Sequence, residues 1–188
     1  MAAAQPVQAA QELQEIRIAG FGGQGVILAG FIIGKAASLY DGQAATMTQA
    51  YGPESRGGAC SADVVMGKGE IGYPKVKSPH ILVAMSQEAY TLNAPHVRTD
   101  GLIIIDTDLV KIERPPAARL LAVPATRLAE QLGKKVVANI ILLGFFTAQT
   151  RLLSQEAMRK AIQSSVPSRF TSLNLRAFEV GYEHGLKA

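Results

Sequence analysis

The sequence contains few of the residues that hold metals or form disulfides. Its 188 residues include a single cysteine, Cys60, and three histidines, His80, His96 and His184, that are scattered without metal-ligand spacing. One thiol cannot form an internal disulfide, a zinc knuckle or a four-cysteine iron–sulfur site. A metal or redox centre connected with this protein is therefore expected to lie mainly on another chain.

Charge and long apolar runs are also limited. The formal net charge is +4 and 18% of the residues are charged, with no Lys/Arg cluster and no aromatic ladder, so nucleic-acid binding has little support. The longest apolar run, residues 136–148, includes Asn139 and is shorter than the roughly 18–20 residues of a membrane span. The Ala/Gln-rich start lacks the basic and apolar regions of a secretory signal. We interpret residues 1–14 as a flexible tail, and these absences together favour a cytoplasmic protein.

Residues 15–188 predict one α/β domain. Apolar residues make up 48% of the chain, which is enough for a hydrophobic core at this length. Strand-like runs alternate with helix-like segments, which favours a three-layer sandwich around a mostly parallel or mixed sheet. Strands are expected at residues 16–20, 44–49, 59–66, 80–84, 102–106 and 119–123. Helices are expected at residues 25–40, 86–93, 126–132, 135–150, 154–164 and 169–183.

A glycine-rich turn opens the domain. Residues 20–25 (GFGGQG) follow the first strand and lead directly into a helix. Glycine is needed where the backbone takes positive φ or approaches another group closely. The N-terminus of a helix carries free N–H groups and the positive end of the helix dipole, which favour an anion such as a phosphate. The turn is therefore Rossmann-like, and its glycine spacing satisfies the dinucleotide fingerprint.

The rest of that fingerprint is incomplete. A nicotinamide site needs an acidic residue about 20 positions further on, at the end of the second strand. That strand ends in Thr48 and Gln49, whereas Asp41 precedes it and Glu54 lies beyond it. The Gly-Lys-Ser/Thr of a P-loop and the Gly-Asp-Gly of thiamine diphosphate enzymes are both missing. The residues therefore disfavour a nicotinamide site.

A second glycine-rich loop, residues 50–58 (AYGPESRGG), follows the second strand. Its arginine, Arg56, is bracketed by glycines and can present a planar guanidinium to a phosphate or carboxylate. A surface salt bridge with Glu54 explains the same residues equally well. The sequence has no serine elbow and no His/Asp/Ser set, and Cys60 is expected to be a buried, inert thiol. From its residues alone, the chain has an anion-ready loop and no visible chemistry of its own.

Three motifs in order resemble a known family. Residues 18–26 (IAGFGGQGV), 48–63 (TQAYGPESRGGACSAD) and 82–90 (LVAMSQEAY) are similar to the gamma subunit of the 2-oxoacid:ferredoxin oxidoreductases. The resemblance covers about residues 15–185, and the GGACSAD variant is most similar to the 2-oxoglutarate branch. Gamma chains of pyruvate, branched-chain and aromatic (phenylglyoxylate or indolepyruvate) enzymes share the framework.

The resemblance implies a multi-subunit enzyme that converts a 2-oxoacid and coenzyme A into acyl-CoA, carbon dioxide and two electrons. Thiamine diphosphate, magnesium and iron–sulfur clusters are expected on the partner alpha, beta and delta-type (ferredoxin-like) subunits. Ferredoxin or an NAD-reducing component is the expected acceptor. The gamma chain is expected to pack against the thiamine-binding chains, to help form the coenzyme A site and to carry no catalytic residue. Two alternatives stay open, a free-standing NAD-binding enzyme and a purely structural scaffold.

The resemblance also gives the two loops an expected role at the active-site entrance, where they receive coenzyme A phosphates. The contacts are expected from the backbone N–H groups of Gly22, Gly23, Gln24 and Gly25 and from the guanidinium of Arg56. The full set of candidate binding residues is Gly20, Gly22, Gly23, Gln24, Gly25, Tyr51, Glu54, Ser55, Arg56 and Gly57.

Overall fold

A computed structural model describes residues 13–53 and 57–188. These described residues form a six-stranded sheet and six α-helices. The strands are β1 (Gln14–Phe21), β2 (Ala44–Tyr51), β3 (Ala59–Gly67), β4 (Ile81–Ala84), β5 (Leu102–Asp106) and β6 (Arg119–Val123). The helices are α1 (Val26–Lys35), α2 (Gln87–Asn93), α3 (Ala125–Gln131), α4 (Ala138–Thr150), α5 (Gln155–Gln163) and α6 (Thr171–Gly185). A π-helical turn (Ala36–Tyr40) continues α1, and short 3-10 turns precede α4 (Lys135–Val137) and α6 (Ser168–Phe170).

The sheet is mixed, as predicted. Its strand order is β2-β3-β1-β4-β5-β6. Strands β1, β4, β5 and β6 run parallel to one another, whereas β3 is antiparallel to both of its neighbours, β1 and β2. The carboxyl ends of the four parallel strands therefore meet at one edge of the sheet. Because antiparallel β3 lies directly beside β1, the Rossmann-like character of the first turn stays a prediction.

Structure covers both faces of the sheet, which gives the three predicted layers. The larger core lies between one face and helices α1, α3, α4, α5 and α6, and it includes Ile16 and Ile18 of β1. The smaller core lies between the other face, α2 and Val110 and Ala118 of the segment that follows β5. Successive side chains of a strand point to opposite faces, so β5 sends Ile104 to the larger core and its neighbours to the smaller one. This burial on both faces explains its unbroken apolar sequence.

Helices α4 and α6 meet backbone to backbone. A Cβ added at Gly144 would collide with the carbonyl oxygen of Phe178, and one added at Gly181 would collide with that of Ile141. The glycines therefore permit a closer approach than side chains would allow. Helix α4 is buried from Ala138 through Ala148, so the long apolar segment predicted at residues 135–150 lies in the core of the domain.

Two serines begin helices as the sequence predicts. The Oγ of Ser86 accepts a hydrogen bond from the Ala89 N–H, and the Oγ of Ser154 accepts one from the Ala157 N–H, each at 3.1 Å. At the amino end, Gln14 is already the first residue of β1. Residues 1–12 of the predicted tail lie outside the described residues, and the domain boundary stays a prediction. Within the described ranges, no helix has both the length and the apolar character that a membrane span requires.

Candidate functional site at two glycine loops

The first glycine loop, residues 20–25, joins β1 to α1 through two residues in left-handed conformations. Gly23 has φ 93° and Gly25, the N-cap of α1, has φ 78°. Side chains other than glycine are strained at such φ values. The N–H of Ala29 donates to the Gly25 carbonyl at 2.9 Å and forms the first intrahelical bond. The loop therefore turns the chain so that the N-terminus of α1 lies beside the carboxyl end of β1.

Gln24 fixes the shape of this loop through both ends of its side-chain amide. Its Oε1 accepts from the Phe21 N–H at 2.6 Å, and its Nε2 donates to the Met85 carbonyl at 2.7 Å. Because Met85 directly follows β4, this side chain joins the ends of two parallel strands. A side chain at Gly20 would not fit, because an added Cβ would lie 2.5 Å from the Gln24 Oε1. The Gln24 amide therefore belongs to the fold rather than to a ligand.

Two of the four N–H groups expected to face an anion are engaged inside the protein. The Gly22 N–H donates to the Gly58 carbonyl at 2.8 Å, and the Gln24 N–H donates to the Phe21 carbonyl at 3.2 Å. Each of these two groups therefore already has an internal acceptor, and their contact with an anion stays a prediction. Among the described residues, no hydrogen bond engages the N–H of Gly23 or Gly25. The loop therefore offers two main-chain donors next to the start of α1.

The second glycine loop lies against the first. A Cβ added at Gly22 would lie 3.2 Å from the backbone nitrogen of Gly57, and Gly57 itself has φ 69°. The loop is closed by the Gly52 N–H, which donates to the Ala59 carbonyl at 2.7 Å. Tyr51, at the end of β2, is 65% exposed. The structure thus brings the described parts of the two predicted loops together, whereas the predicted contacts from Glu54, Ser55 and Arg56 lie outside the described residues.

A cavity of about 310 Å³ adjoins the first loop at the carboxyl ends of the parallel strands. Its lining includes Gly23, Gln24, Met85, Asp106, Thr126 and Lys135. This edge is where open α/β sheets bind their ligands. The sequence patterns do not indicate Lys135, which lines this cavity and whose Nζ lies 3.9 Å from the Glu130 Oε1. Lys135 directly precedes the segment of an apolar helix, and this helix packs next to the glycine loop. That position is the sequence signal by which Lys135 could be found.

Asp106 is buried in this cavity wall but has a structural role. One carboxylate oxygen accepts from the Asp108 N–H at 3.0 Å. The other accepts from the Thr126 N–H at 2.9 Å and from the Thr126 Oγ1 at 2.7 Å. A carboxylate near the N-terminus of a helix satisfies its free N–H groups, here the Thr126 N–H of α3. Asp106 therefore holds the end of β5 to the start of α3.

Cys60 lies beneath a second, smaller cavity. This cavity of about 210 Å³ lies between the sheet and α2, and Tyr51 and Leu92 are at its rim. The Cys60 thiol is buried, with 8% of the residue exposed, and burial raises its pKa above the ordinary thiol value. A raised pKa lowers the thiolate fraction at neutral pH and makes a cysteine less reactive. This environment agrees with the predicted inert thiol.

One protein-family model matches most of the chain. The family model for pyruvate ferredoxin/flavodoxin oxidoreductase matches residues 15–184, a range that includes both glycine loops. The chain therefore belongs to the pyruvate ferredoxin/flavodoxin oxidoreductase family.

The chain is also similar to individual proteins of known type. The chain is 50% identical over 177 residues to the 2-oxoglutarate synthase subunit KorC of Methanothermobacter thermautotrophicus, covering 90% of this chain and 94% of the relative. It is 46% identical over 173 residues to KorC of Methanocaldococcus jannaschii, covering 90% and 92%. Among solved structures, the gamma subunit of a keto/oxoacid ferredoxin oxidoreductase from Geobacter sulfurreducens superposes with a TM-score of 0.83 at 39% identity, covering 93% of this chain and 99% of that one.

Proposed function

We propose that this chain is the gamma subunit of a coenzyme A-dependent 2-oxoglutarate:acceptor oxidoreductase. The enzyme converts 2-oxoglutarate and coenzyme A into succinyl-CoA and carbon dioxide, and passes two electrons to an acceptor. Support for this substrate comes from the identity to the two KorC subunits over nine-tenths of this chain. Support for the gamma role comes from the likeness to the Geobacter subunit over almost its whole length.

The chain's part in the reaction is to bind and position rather than to perform chemistry. Within residues 13–53 and 57–188, no group of three or more His, Cys, Asp or Glu side chains is placed to hold a metal ion. These residues do not fit an iron–sulfur cluster or the magnesium of thiamine diphosphate. We therefore assign those groups to the alpha, beta and delta-type subunits of the assembly, with ferredoxin or an NAD-linked component accepting the electrons.

The residues fit an anionic part of coenzyme A instead. The observation that carries this proposal is the hydrogen bond between Gly22 and Gly58, which joins both glycine loops into one edge. Beside that edge lie the N–H groups of Gly23 and Gly25, which have no acceptor among the described residues, and the positive end of α1. Lys135 lines the adjoining cavity, with its Nζ 3.9 Å from the Glu130 Oε1. Backbone donors at a helix N-terminus with a nearby cation bind phosphate well. When bound, coenzyme A supplies the thiol that accepts the acyl group, and this edge orients its phosphates.

The test uses the assembled enzyme and two lysines that are neighbours in sequence. Lys135→Ala removes a cationic side chain from the residues that line the cavity, and we expect the KM for coenzyme A to rise about ten-fold. Lys134→Ala is the matched control, because Lys134 is exposed and does not line the cavity. Arg56→Ala tests the second loop in the same assay. Unchanged KM and kcat in both Lys135→Ala and Arg56→Ala would overturn the binding role.

Two alternatives predict different results. If the loops serve only as subunit contacts, the same variants lose assembly on size-exclusion chromatography, while any intact complex keeps normal kinetics. If the chain is a free-standing NAD-binding protein, the isolated chain binds NAD(H) tightly in calorimetry. A panel of 2-oxoacids with the native complex separates 2-oxoglutarate from pyruvate, phenylglyoxylate and indolepyruvate, which are the substrates of the alternative family members.

A further inference from the structure

Strand β2 is an end strand of the sheet with an open hydrogen-bonding edge. It pairs only with β3 within the described residues. The Gly52 N–H, one residue beyond β2, donates inward to Ala59, and inward-bonded residues alternate with outward-facing ones in an antiparallel pair. The outward N–H and C=O groups therefore belong to Ala45, Met47, Gln49 and Tyr51.

This edge carries none of the usual features that prevent strands from associating. Natural edge strands are commonly protected by charged residues, proline or bulges. The sequence of β2 is AATMTQAY, with no charge and no proline. Its register with β3 runs without interruption from Ala44 to Tyr51. As far as residues 13–53 and 57–188 show, the strand is therefore free to pair with another strand along its whole length.

An apolar groove borders the same edge. Phe31 of α1 is 50% exposed and Leu39 of the following turn is 65% exposed. Cavities of about 590 and 270 Å³ lie on either side of Phe31, and Met47 of β2 lines both. The charged residue of the two linings is Lys35, whose Nζ donates to the Ser164 carbonyl at 2.9 Å. The same ammonium group lies 5.6 Å from the centroid of the Phe31 ring. The two linings are thus mostly apolar, with Lys35 as their one charged residue.

We propose that a second copy of this chain docks on this surface, with the two β2 strands pairing antiparallel about a two-fold axis at Thr48. In this register Met47 pairs with Gln49 of the other copy, and Ala45 pairs with Tyr51. All four outward-facing residues then form hydrogen-bonded pairs, and the two Thr48 residues face each other as a non-hydrogen-bonded pair. Two six-stranded sheets become one continuous sheet.

The occupant is a second copy because the surface is complementary to itself. A two-fold contact places the same patch on both sides, so that patch needs both a projection and a recess. Phe31 projects, with 50% of the residue exposed, and the cavity of about 270 Å³ beside it, which Gly34 lines, provides a recess. Phe31 lies beside Met47 and Thr48, close to the proposed axis. An uncharged strand also meets its own copy without repulsion between like charges.

The register can be tested by cysteine cross-linking in a Cys60→Ala background, which leaves the introduced cysteine as the single thiol. Across a non-hydrogen-bonded pair the Cα atoms are about 4.5 Å apart, within the range that a disulfide spans. We expect Thr48→Cys to give a disulfide-linked dimer on non-reducing gels. Thr46→Cys is the matched control, because its two copies would be offset by about 13 Å along the strands. Equal cross-linking of the two variants, or none at Thr48→Cys, would overturn the proposed pairing.

A charge variant tests the contact without cross-linking. We expect light scattering of the full chain to give twice the mass of one 19.9 kDa chain. Thr48→Lys places two ammonium groups opposite each other, so we expect the dimer dissociation constant to rise at least about ten-fold. Thr99→Lys adds the same charge in an exposed turn and should leave the dimer intact. The proposal would be overturned if the wild-type chain is monomeric and its β2 amides become protected from hydrogen exchange only in the complex. That result would assign the edge to another subunit.

Discussion

The main-chain N–H of Gly22 donates to the carbonyl oxygen of Gly58 at 2.8 Å, and so the turn after β1 is joined to the loop before β3. The two residues belong to different glycine loops, and no side chain takes part in the bond. The contact is close, since a Cβ on Gly22 would lie 3.2 Å from the Gly57 nitrogen. The relative position of the two loops is therefore set by backbone atoms, and a side chain at Gly22 should change it.

Gly22→Val tests this dependence. The valine side chain would displace the Gly57 backbone and separate the loops, so we expect the KM for coenzyme A in the assembled enzyme to rise about ten-fold. The free energy of unfolding should fall by no more than about 2 kcal/mol, because both loops are at the surface. Gly72→Val is the control, since a Cβ at Gly72 meets no atom within 4 Å. A wild-type KM in Gly22→Val would show that the contact between the loops is not needed for binding.

Gln24→Glu tests the amide that joins the ends of β1 and β4. The glutamate keeps an acceptor for the Phe21 N–H, but it puts a carboxylate oxygen opposite the Met85 carbonyl in place of the Nε2 donor. We expect the free energy of unfolding, measured by urea denaturation, to fall by about 1–3 kcal/mol. Gln163→Glu, at an exposed position at the end of α5, should cost less than about 1 kcal/mol. Equal stability of the two variants would contradict the assigned bonds.

Most of the fold follows from local sequence patterns. The strands and helices lie within a few residues of their predicted bounds, because apolar periodicity, serine caps and glycine breaks all act over short distances. The differences are at the ends. Strand β1 begins at Gln14 rather than at residue 16, because tertiary pairing with Met66 extends it. Helix α4 begins at Ala138 rather than at residue 135, after a 3-10 turn.

The candidate site was less predictable, because its decisive contacts join distant parts of the chain. The sequence indicates two glycine loops, but the bond between Gly22 and Gly58 depends on the antiparallel pairing of β1 with β3. The internal bonds of the Gln24 amide depend on the end of β4, which is 61 residues away. Lys135 reaches the site only because α4 packs next to the glycine loop. Such contacts come from topology rather than from periodicity.

Gly181→Ala tests the backbone contact between α4 and α6. Its Cβ would overlap the Ile141 carbonyl oxygen, which is fixed inside α4, so we expect the free energy of unfolding to fall by about 3 kcal/mol or more. Gly34→Ala is expected to have the opposite effect on stability. It is measured in a Thr48→Lys background, because that substitution removes the proposed dimer contact. The alanine Cβ meets no atom within 4 Å, and stability should rise by about 0.5–1 kcal/mol because alanine favours helix. Urea denaturation of both variants measures the contrast.

Cys60 gives a prediction on pH. Burial raises the pKa of its thiol, so the folded chain holds this proton to higher pH than the unfolded chain does. The stabilisation is fully present below the unfolded pKa of about 8.5 and is lost as the pH rises through the folded pKa. Unfolding measured at about pH 7.5 and pH 9.5 should therefore show a smaller loss of stability in Cys60→Ala than in the wild type. Identical pH dependence would contradict the assigned shift.

The internal bonding of the Gln24 amide has a consequence for how the site can change. The glycine loop would recognise its ligand through main-chain donors, which every sequence with the same backbone possesses. If the loop binds phosphate as proposed, selectivity among phosphate ligands would come from the other residues that line the cavity, such as Lys135. The backbone of the loop would stay constant, and substitutions among the other residues that line the cavity would alter the ligand preference.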